Sequence, residues 1–243
     1  WLGNKKLSEN EGGWTTVAPS SIAYHENETA PIALDNQGIQ KVLTDFQSAT
    51  RRAVEAGYEV MEIHAAHGYL LHQFLSPLTN QRTDEYGGSF ENRVRLTLET
   101  VTAVQAEWPS NLPLFVRISA TDWAKGGWSV EESVQLSQIL KEKGVDLIDV
   151  SSGGLVSHQK ITIGPNYQVP FAEKIKKETG IRTGAVGMIT EAHQAENILS
   201  ESQADLVFFA RESLRNPNLG LDFATALEET VAWPKQYERA KTR

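Results

Sequence analysis

The sequence predicts an α/β fold built on a parallel sheet, and more specifically an incomplete (β/α)8 TIM barrel. From Asp35 onward, short apolar runs alternate with amphipathic helical patterns, as expected of parallel strands that are buried on both faces. Polar residues and glycines cluster at the carboxyl ends of those runs, which is where a barrel carries its active site. No G-x-G-x-x-G follows a predicted strand, so a doubly wound dinucleotide-binding fold is disfavoured.

The predicted elements follow one another in a regular order. A helix begins after Asp35 and ends at Gly57, where we expect a left-handed cap. Ser129 and Glu132 have the spacing of a capping box, which opens a helix that runs to Lys143. The other predicted elements are strands at 58–63, 112–119, 145–150, 181–186 and 204–210, and helices at 91–107, 171–179 and 190–202.

Two features of this pattern depart from a complete barrel. Five strands are predicted where a barrel has eight, and the first 34 residues contain no further barrel strand. We therefore expect a single barrel domain over residues 1–243 that lacks its N-terminal strands. The polar stretch after residue 67 predicts a long irregular loop, and loops of that length are usually functional or disordered.

Composition restricts the classes of function. The net charge is −8, from 31 acidic and 23 basic side chains, so nucleic acid and anionic membrane surfaces are poor partners. No run approaches eighteen uninterrupted apolar residues, so no membrane span is predicted. The chain has no cysteine, which excludes disulfides and thiolate chemistry and fits a cytoplasmic location.

Six segments, in order and at characteristic spacing, carry a resemblance to a known family. The chain resembles the thermophilic-like branch of the Old Yellow Enzyme family from about Trp14 to Arg239. The segments are HAAHGYLLHQFLSPLTNQRTDEYGGSFENR, FVRISATD, DLIDVSSGG, GAVGMI, DLVFFARESLRNP and QYER.

The resemblance implies a function and a place for these strands in the barrel. It implies a barrel that carries non-covalent FMN and reduces activated C=C bonds of small molecules with electrons from NAD(P)H, as an NADPH dehydrogenase or ene-reductase does. It also implies that the five predicted strands are strands four to eight. Two alternatives stay open at this stage: a non-catalytic remnant that binds no flavin, and another phosphate-binding barrel enzyme such as a lyase or isomerase.

His64, His67 and Tyr69 are the candidate catalytic and substrate-binding residues. Backbone-bonded structural histidines are an alternative, and a zinc site would need a third ligand that no nearby motif supplies. Two imidazole N–H groups that converge on one oxygen form an oxyanion site, suited to a carbonyl or nitro group that gains negative charge. The family uses the matching histidine pair in this way, and its matching tyrosine lines the pocket as a candidate proton donor.

The candidate cofactor-binding residues lie on three later strands or directly after them. Arg117 is a charge within an apolar strand, so it must meet an anion or project from the sheet; the resemblance places it against the flavin ring. The segments around GAVGM and FFARE suit a phosphate, although this chain has Ala where the family usually has Gly before the arginine. The candidates here are Gly184, Gly187, Met188, Ala210 and Arg211.

Arg239, in the segment QYER, is the last candidate for the substrate site. The matching arginine in this branch of the family reaches into the pocket of a neighbouring subunit, so the resemblance implies a homo-oligomer. The alternative is a mobile basic tail. The remaining histidines, including His72, are interpreted as solvent-facing or packing residues.

Overall fold

The computed structural model describes residues 7–241 and contains a five-stranded parallel sheet. Its strands are hydrogen-bonded in chain order, so each neighbour in the sheet is the next strand in the sequence, as in a barrel wall. A separate two-stranded parallel sheet precedes them. The strands are β1 (Val17–Ala18), β2 (Ile32–Ala33), β3 (Met61–Ala65), β4 (Leu114–Ser119), β5 (Leu147–Ser151), β6 (Arg182–Ala185) and β7 (Leu206–Val207).

Helices connect the strands, and the predicted caps are present. The Asp35 side chain accepts a hydrogen bond from Gly38 N at the start of the first helix, and Ser129 and Glu132 form the capping box. The helices are α1 (Asn36–Glu55), α2 (Leu70–Leu75), α3 (Phe90–Gln105), α4 (Val130–Glu142), α5 (Val169–Thr179), α6 (Ala192–Ser200), α7 (Arg211–Arg215) and α8 (Leu219–Ala226), with 3-10 helices at Glu9–Glu11 and Lys235–Ala240. Across residues 7–241, no helix has the length and apolar character needed to cross a membrane.

Three predictions of local structure were wrong. The last strand was predicted at 204–210, but β7 covers only Leu206–Val207. The first core strand was predicted at 58–63, but Tyr58 N donates to Ala53 O, and Gly57 takes a φ of 79°; both complete the end of α1, so β3 starts at Met61. The strand ends at Ala65, so it contains His64. The stretch after residue 67 is not wholly irregular, because α2 forms there and buries Leu71, Phe74 and Leu75.

The register of the sheet brings polar residues into one row. His64 on β3 pairs with Arg117 on β4, Arg117 with Asp149 on β5, and Asp149 with Gly184 on β6. Paired residues of a parallel sheet point to the same face, and alternate residues to the opposite face. The opposite face packs on the helices and belongs to the buried core; it includes Ile63, Ala65, Val116, Ile118, Ile148 and Val150. The polar row therefore lies on the face away from the helices.

Candidate active site

A tight turn after β3 presents His67, and a buried imidazole–carboxylate pair holds it. His67 and Gly68 both have positive φ, 57° and 76°. Gly68 N donates to Nδ1 of His72 at 2.9 Å, which leaves the His72 proton on Nε2, 2.8 Å from Asp122 Oδ1. Both of these side chains are fully buried. Ser76 Oγ donates to the other carboxylate oxygen at 2.5 Å, so the turn rests on a satisfied polar network.

His72 and Asp122 were not singled out by the sequence for any role near the site. His72 was interpreted as a solvent-facing or packing residue, and it is indeed buried, but it also bonds the backbone of the turn that carries His67. The sequence did contain a hint of this pair. His72 lies five residues after His67, and Asp122 lies just beyond the next predicted strand. That signal is weak because histidine and aspartate at such positions are common in loops.

Glycines bring the loop after β5 against the same turn. A Cβ on Gly68 would lie 2.2 Å from Gly154 O, and a Cβ on Gly154 would lie 2.7 Å from His67 Cα. Ser119 Oγ joins the two loops, since it accepts from His67 N at 2.9 Å and donates to Gly153 O at 2.8 Å. The loops after β3 and β5 thus touch backbone to backbone, a contact that only glycine permits.

The structure brings His64, His67 and Tyr69 together. Nε2 of His64 lies 3.3 Å from Nδ1 of His67, and the Tyr69 ring stands edge-on to His64 with 5.3 Å between ring centroids. Ala66 N donates to His64 Nδ1 at 3.3 Å, and His67 Nε2 lies 2.7 Å from Ser151 Oγ. Because the two facing nitrogens are so close, a single oxygen can contact both.

Both imidazoles are neutral at pH 7. Burial, together with the positive charge of Arg117, lowers the pKa of His67 to about 4. Burial and Arg117 also lower the pKa of His64. A neutral imidazole carries a single N–H, so which nitrogen holds the proton decides what each ring can donate.

Arg117 lies against Asp149, whose carboxylate was not among the residues predicted for the site. Arg117 Nε lies 3.1 Å from Asp149 Oδ2, but the N–H does not point along that line. Arg117 Nε and Asp149 Oδ1 both lack a hydrogen-bond partner among the described residues. Burial raises the pKa of Asp149 to about 7, against the lowering effect of Arg117. Two buried polar atoms beside the histidine pair are thus available to a polar ligand.

A cavity of about 310 Å³ lies at the far end of the sheet, between the segments that follow β6 and β7. Four predicted cofactor-binding residues line it: Gly187, Met188, Ala210 and Arg211. Gly187 has a φ of 121°, and a Cβ there would lie 2.8 Å from Gln168 Nε2. This cavity offers a guanidinium and a bare backbone, which together suit a phosphate.

Gly184 and Arg239 are the predicted cofactor- and substrate-binding residues that do not line this cavity. Gly184 lies within β6, and a Cβ there would lie 2.1 Å from the Phe208 ring, so its local effect is to make room for that ring. Arg239 lies in the exposed 3-10 helix Lys235–Ala240, and no hydrogen bond or ion pair joins its side chain to any residue in the described range 7–241. Their roles toward cofactor and substrate stay predictions.

These features fit flavin mononucleotide. The unpartnered Arg117 Nε can face the polar edge of a flavin ring close to His64 and His67, and Arg211 with the backbone at Gly187 can take the phosphate. The residues present therefore offer a contact for each charged or polar end of the cofactor.

Comparison with known proteins agrees with this geometry. A NADPH dehydrogenase from Listeria welshimeri serovar 6b is 50% identical over 224 residues, which are 92% of this chain and 65% of that protein. A NADPH dehydrogenase from Bacillus subtilis (strain 168) is 48% identical over 222 residues, 91% of this chain and 65% of the relative. The chain thus spans about two thirds of the length of these curated relatives.

Solved structures confirm the barrel fold. Morphinone reductase in complex with tetrahydroNAD superposes with a TM-score of 0.72 at 27% identity, over 92% of this chain and 62% of that one. An old yellow enzyme homologue from Zymomonas mobilis superposes with a TM-score of 0.74 over 96% of this chain and 67% of that one, at 24% identity. The profile of one family matches residues 3–229. The chain therefore belongs to the NADH:flavin oxidoreductase / NADH oxidase family and is similar to Old Yellow Enzymes, as the sequence motifs predicted.

Proposed function

We propose that the protein is an FMN-dependent oxidoreductase that uses NAD(P)H to reduce activated C=C bonds of enones, enals or nitroalkenes. The observation that carries this proposal is the pair of neutral imidazoles, His64 and His67, with facing nitrogens 3.3 Å apart beside Arg117. Family membership supports the redox chemistry and sets aside a lyase or isomerase.

The cofactor would be held at two ends. Arg117 would meet the flavin ring, and Gly187, Met188, Ala210 and Arg211 would surround the phosphate, with Gly184 making room for the Phe208 ring beside them. When bound, FMN supplies the redox chemistry, accepting hydride from the nicotinamide and passing it to the β-carbon of the alkene. A fixed positive charge at Arg117 would stabilise the negative charge that a reduced flavin ring acquires.

His64 and His67 would hold the oxygen of the electron-withdrawing group. That oxygen becomes negative as the β-carbon is reduced, and two N–H donors that are already in place stabilise the charge without reorganising. The partial burial of the pair strengthens these hydrogen bonds, because water competes less there. Neutral imidazoles also avoid the cost of burying two extra positive charges next to Arg117.

Tyr69 would donate the proton that completes the reduction at the α-carbon. Its side chain is 66% exposed and its ring lies against His64, so its hydroxyl can reach a substrate bound at the histidine pair while still exchanging protons with water. We further propose that Arg239 completes the pocket of a neighbouring subunit in a homo-oligomer, that residues 1–243 form one barrel domain, and that the protein works in the cytoplasm.

One experiment tests the function directly. The purified protein is incubated with FMN, freed of unbound cofactor and scanned for the visible absorbance of flavin. NADPH is then added without oxygen, followed by 2-cyclohexenone. We expect bound flavin to bleach with NADPH and to recover its colour with the enone, with one alkene reduced for each NADPH. A protein that retains no flavin under these conditions would instead be the non-catalytic alternative.

A further inference from the structure

We propose that Ser151 is a positioning residue that allows His67 to carry its proton on Nδ1 when substrate is bound, by donating its hydroxyl hydrogen to His67 Nε2. This inference rests on the proposed function, since it concerns how the histidine pair comes to offer two donors. Ser151 is the last residue of β5 and is buried. Its Oγ lies 2.7 Å from His67 Nε2 and 3.3 Å from Gln168 Oε1.

The proton of His64 is already placed by the backbone. Ala66 N donates to His64 Nδ1, so that nitrogen carries no proton, and the proton of the neutral ring is on Nε2. His64 Nε2 is the atom that faces His67 Nδ1. His64 is therefore ready to donate toward the space between the two rings.

The proton of His67 is not placed in the same way. In the absence of a ligand, His64 Nε2–H points at His67 Nδ1, and that arrangement requires the His67 proton on Nε2, donated to Ser151 Oγ. Two donors on one substrate oxygen require the other tautomer, with the proton on Nδ1. To pass between the two, His67 releases one proton from Nε2 to water and takes one from water at Nδ1. Because burial lowers its pKa to about 4, holding both protons at neutral pH is unfavourable.

The hydroxyl of Ser151 can serve both tautomers, because a hydroxyl accepts and donates. It accepts from Nε2–H in the first arrangement and donates to bare Nε2 in the second. Gln168 keeps the free-energy cost of this rotation of the hydroxyl small. Its Oε1 already accepts from Ser152 Oγ at 2.6 Å, and its Nε2 donates to Val186 O at 2.9 Å. Ser151 gives up only the longer of the two bonds to Oε1 when it turns to the imidazole.

The test follows the His67 tautomer directly, with 15N-labelled histidine in the flavin-loaded protein and 4-chlorophenol as the probe. In the parent with the phenol bound, we expect His67 protonated on Nδ1, with Nε2 showing the shift of a hydrogen-bond acceptor. In Ser151→Ala we expect a mixture of both tautomers and phenol binding about 5- to 10-fold weaker, the effect of one lost hydrogen bond. Ser151→Thr keeps a hydroxyl and should restore both readouts.

The matched control is Ser152→Ala, which removes the neighbouring hydroxyl that bonds Gln168 but does not contact His67; its tautomer ratio should equal that of the parent. The inference is overturned if the bound parent carries the His67 proton on Nε2, or if Ser151→Ala keeps the parental ratio. A parent that binds no phenol overturns the proposed function and this inference with it, so the two failures are told apart.

Discussion

Arg117 and Asp149 lie directly opposite one another on β4 and β5, with Nε 3.1 Å from Oδ2, on the sheet face that also carries His64. An arginine at this distance ordinarily lowers the pKa of a carboxyl group. Here burial outweighs it and raises the pKa of Asp149 to about 7. The protonation of Asp149 therefore changes close to neutral pH, beside the group proposed to face the flavin.

The first prediction concerns stability against pH. The folded pKa of Asp149, about 7, lies above its usual value of 3.8, so between these values the folded state binds more protons than the unfolded state. The stability that the protonated group contributes is thus lost as pH rises through 7. The asparagine of Asp149→Asn has no proton to lose in this range. The free energy of unfolding of the variant, relative to the parent, should therefore rise from pH 4 to pH 7, by about 4 kcal/mol at most. Urea denaturation across this range measures it.

The control for this prediction is Gln40→Ala, at an exposed residue of α1 without a titratable side chain, for which the difference from the parent should change little with pH. A difference between Asp149→Asn and the parent that stays constant across the range would contradict the raised pKa.

The second prediction separates the two ends of the cofactor. Arg211→Ala should weaken FMN binding by about 1.5–3 kcal/mol, because a charge-assisted contact to the phosphate is lost. Arg117→Ala should chiefly lower the reduction potential of bound flavin, because a positive charge beside the ring is lost. Fluorescence titration gives the affinity, and a reference-dye titration gives the potential. Arg52→Ala on the exposed side of α1 is the control, and equal affinity and potential in all three variants would refute both assignments.

The third prediction concerns the histidine pair. His64→Ala combined with His67→Ala should weaken the binding of a phenolic ligand and slow reoxidation of the reduced protein by an enone about 10²–10³-fold or more, the usual cost of one lost oxyanion donor. Stopped-flow absorbance follows this step separately from reduction by NADPH. His193→Ala, in α6 and exposed, should behave as the parent does. Turnover of an enone at the parental rate in the double variant would show that the pair does not hold substrate.

The fourth prediction concerns Arg239. If it completes the pocket of a neighbouring subunit, a chain ending before Tyr237 should show a raised KM for the enone and an unchanged flavin content. The parent protein should be an oligomer under the same conditions. Arg239→Ala should reproduce the rise in KM, whereas Lys241→Ala should not. Steady-state kinetics with light scattering on the same samples test this, and full activity in a strict monomer would exclude a shared pocket.

The fifth prediction concerns the edge of the sheet. Among the described residues, β3 has a strand neighbour on one side only, and Val60, just before it, is 49% exposed. Unpaired edges and exposed apolar side chains favour association. We expect the chain of residues 1–243, expressed alone, to self-associate in light scattering, and Val60→Lys to reduce this. A monodisperse monomer with a sharp two-state unfolding transition and stoichiometric flavin would contradict the expectation.

The sequence was sufficient for the elements that depend on local pattern. The five parallel strands follow from their apolar runs, and the caps of α1 and α4 follow from Asp35 and Ser129. The short helix α2 was missed because six residues within a polar stretch are too few to show a helical period. The start of β3 was misplaced because the end of α1 uses residues that also favour strands.

The grouping of the candidate site residues was predictable from the sequence, but their contacts were not. His64, His67 and Tyr69 are neighbours in sequence, so local spacing was enough to group them. The contact of His67 with Ser151, by contrast, spans 84 residues, and that of Arg117 with Asp149 depends on the register between two strands. No short turn fixes the register between these parallel strands, which are joined through a helix, so the pairing of Arg117 with Asp149 could not be predicted locally.

The backbone contact between the turn at Gly68 and the loop at Gly154 has a consequence for directed evolution. Any side chain at either position would push on main-chain atoms of the other loop, so both glycines must be kept when either segment is varied or transplanted. A library that randomises position 154 with the rest of the loop after β5 should yield mostly misfolded clones. Grafting both segments as a pair would preserve the histidine geometry in a new scaffold.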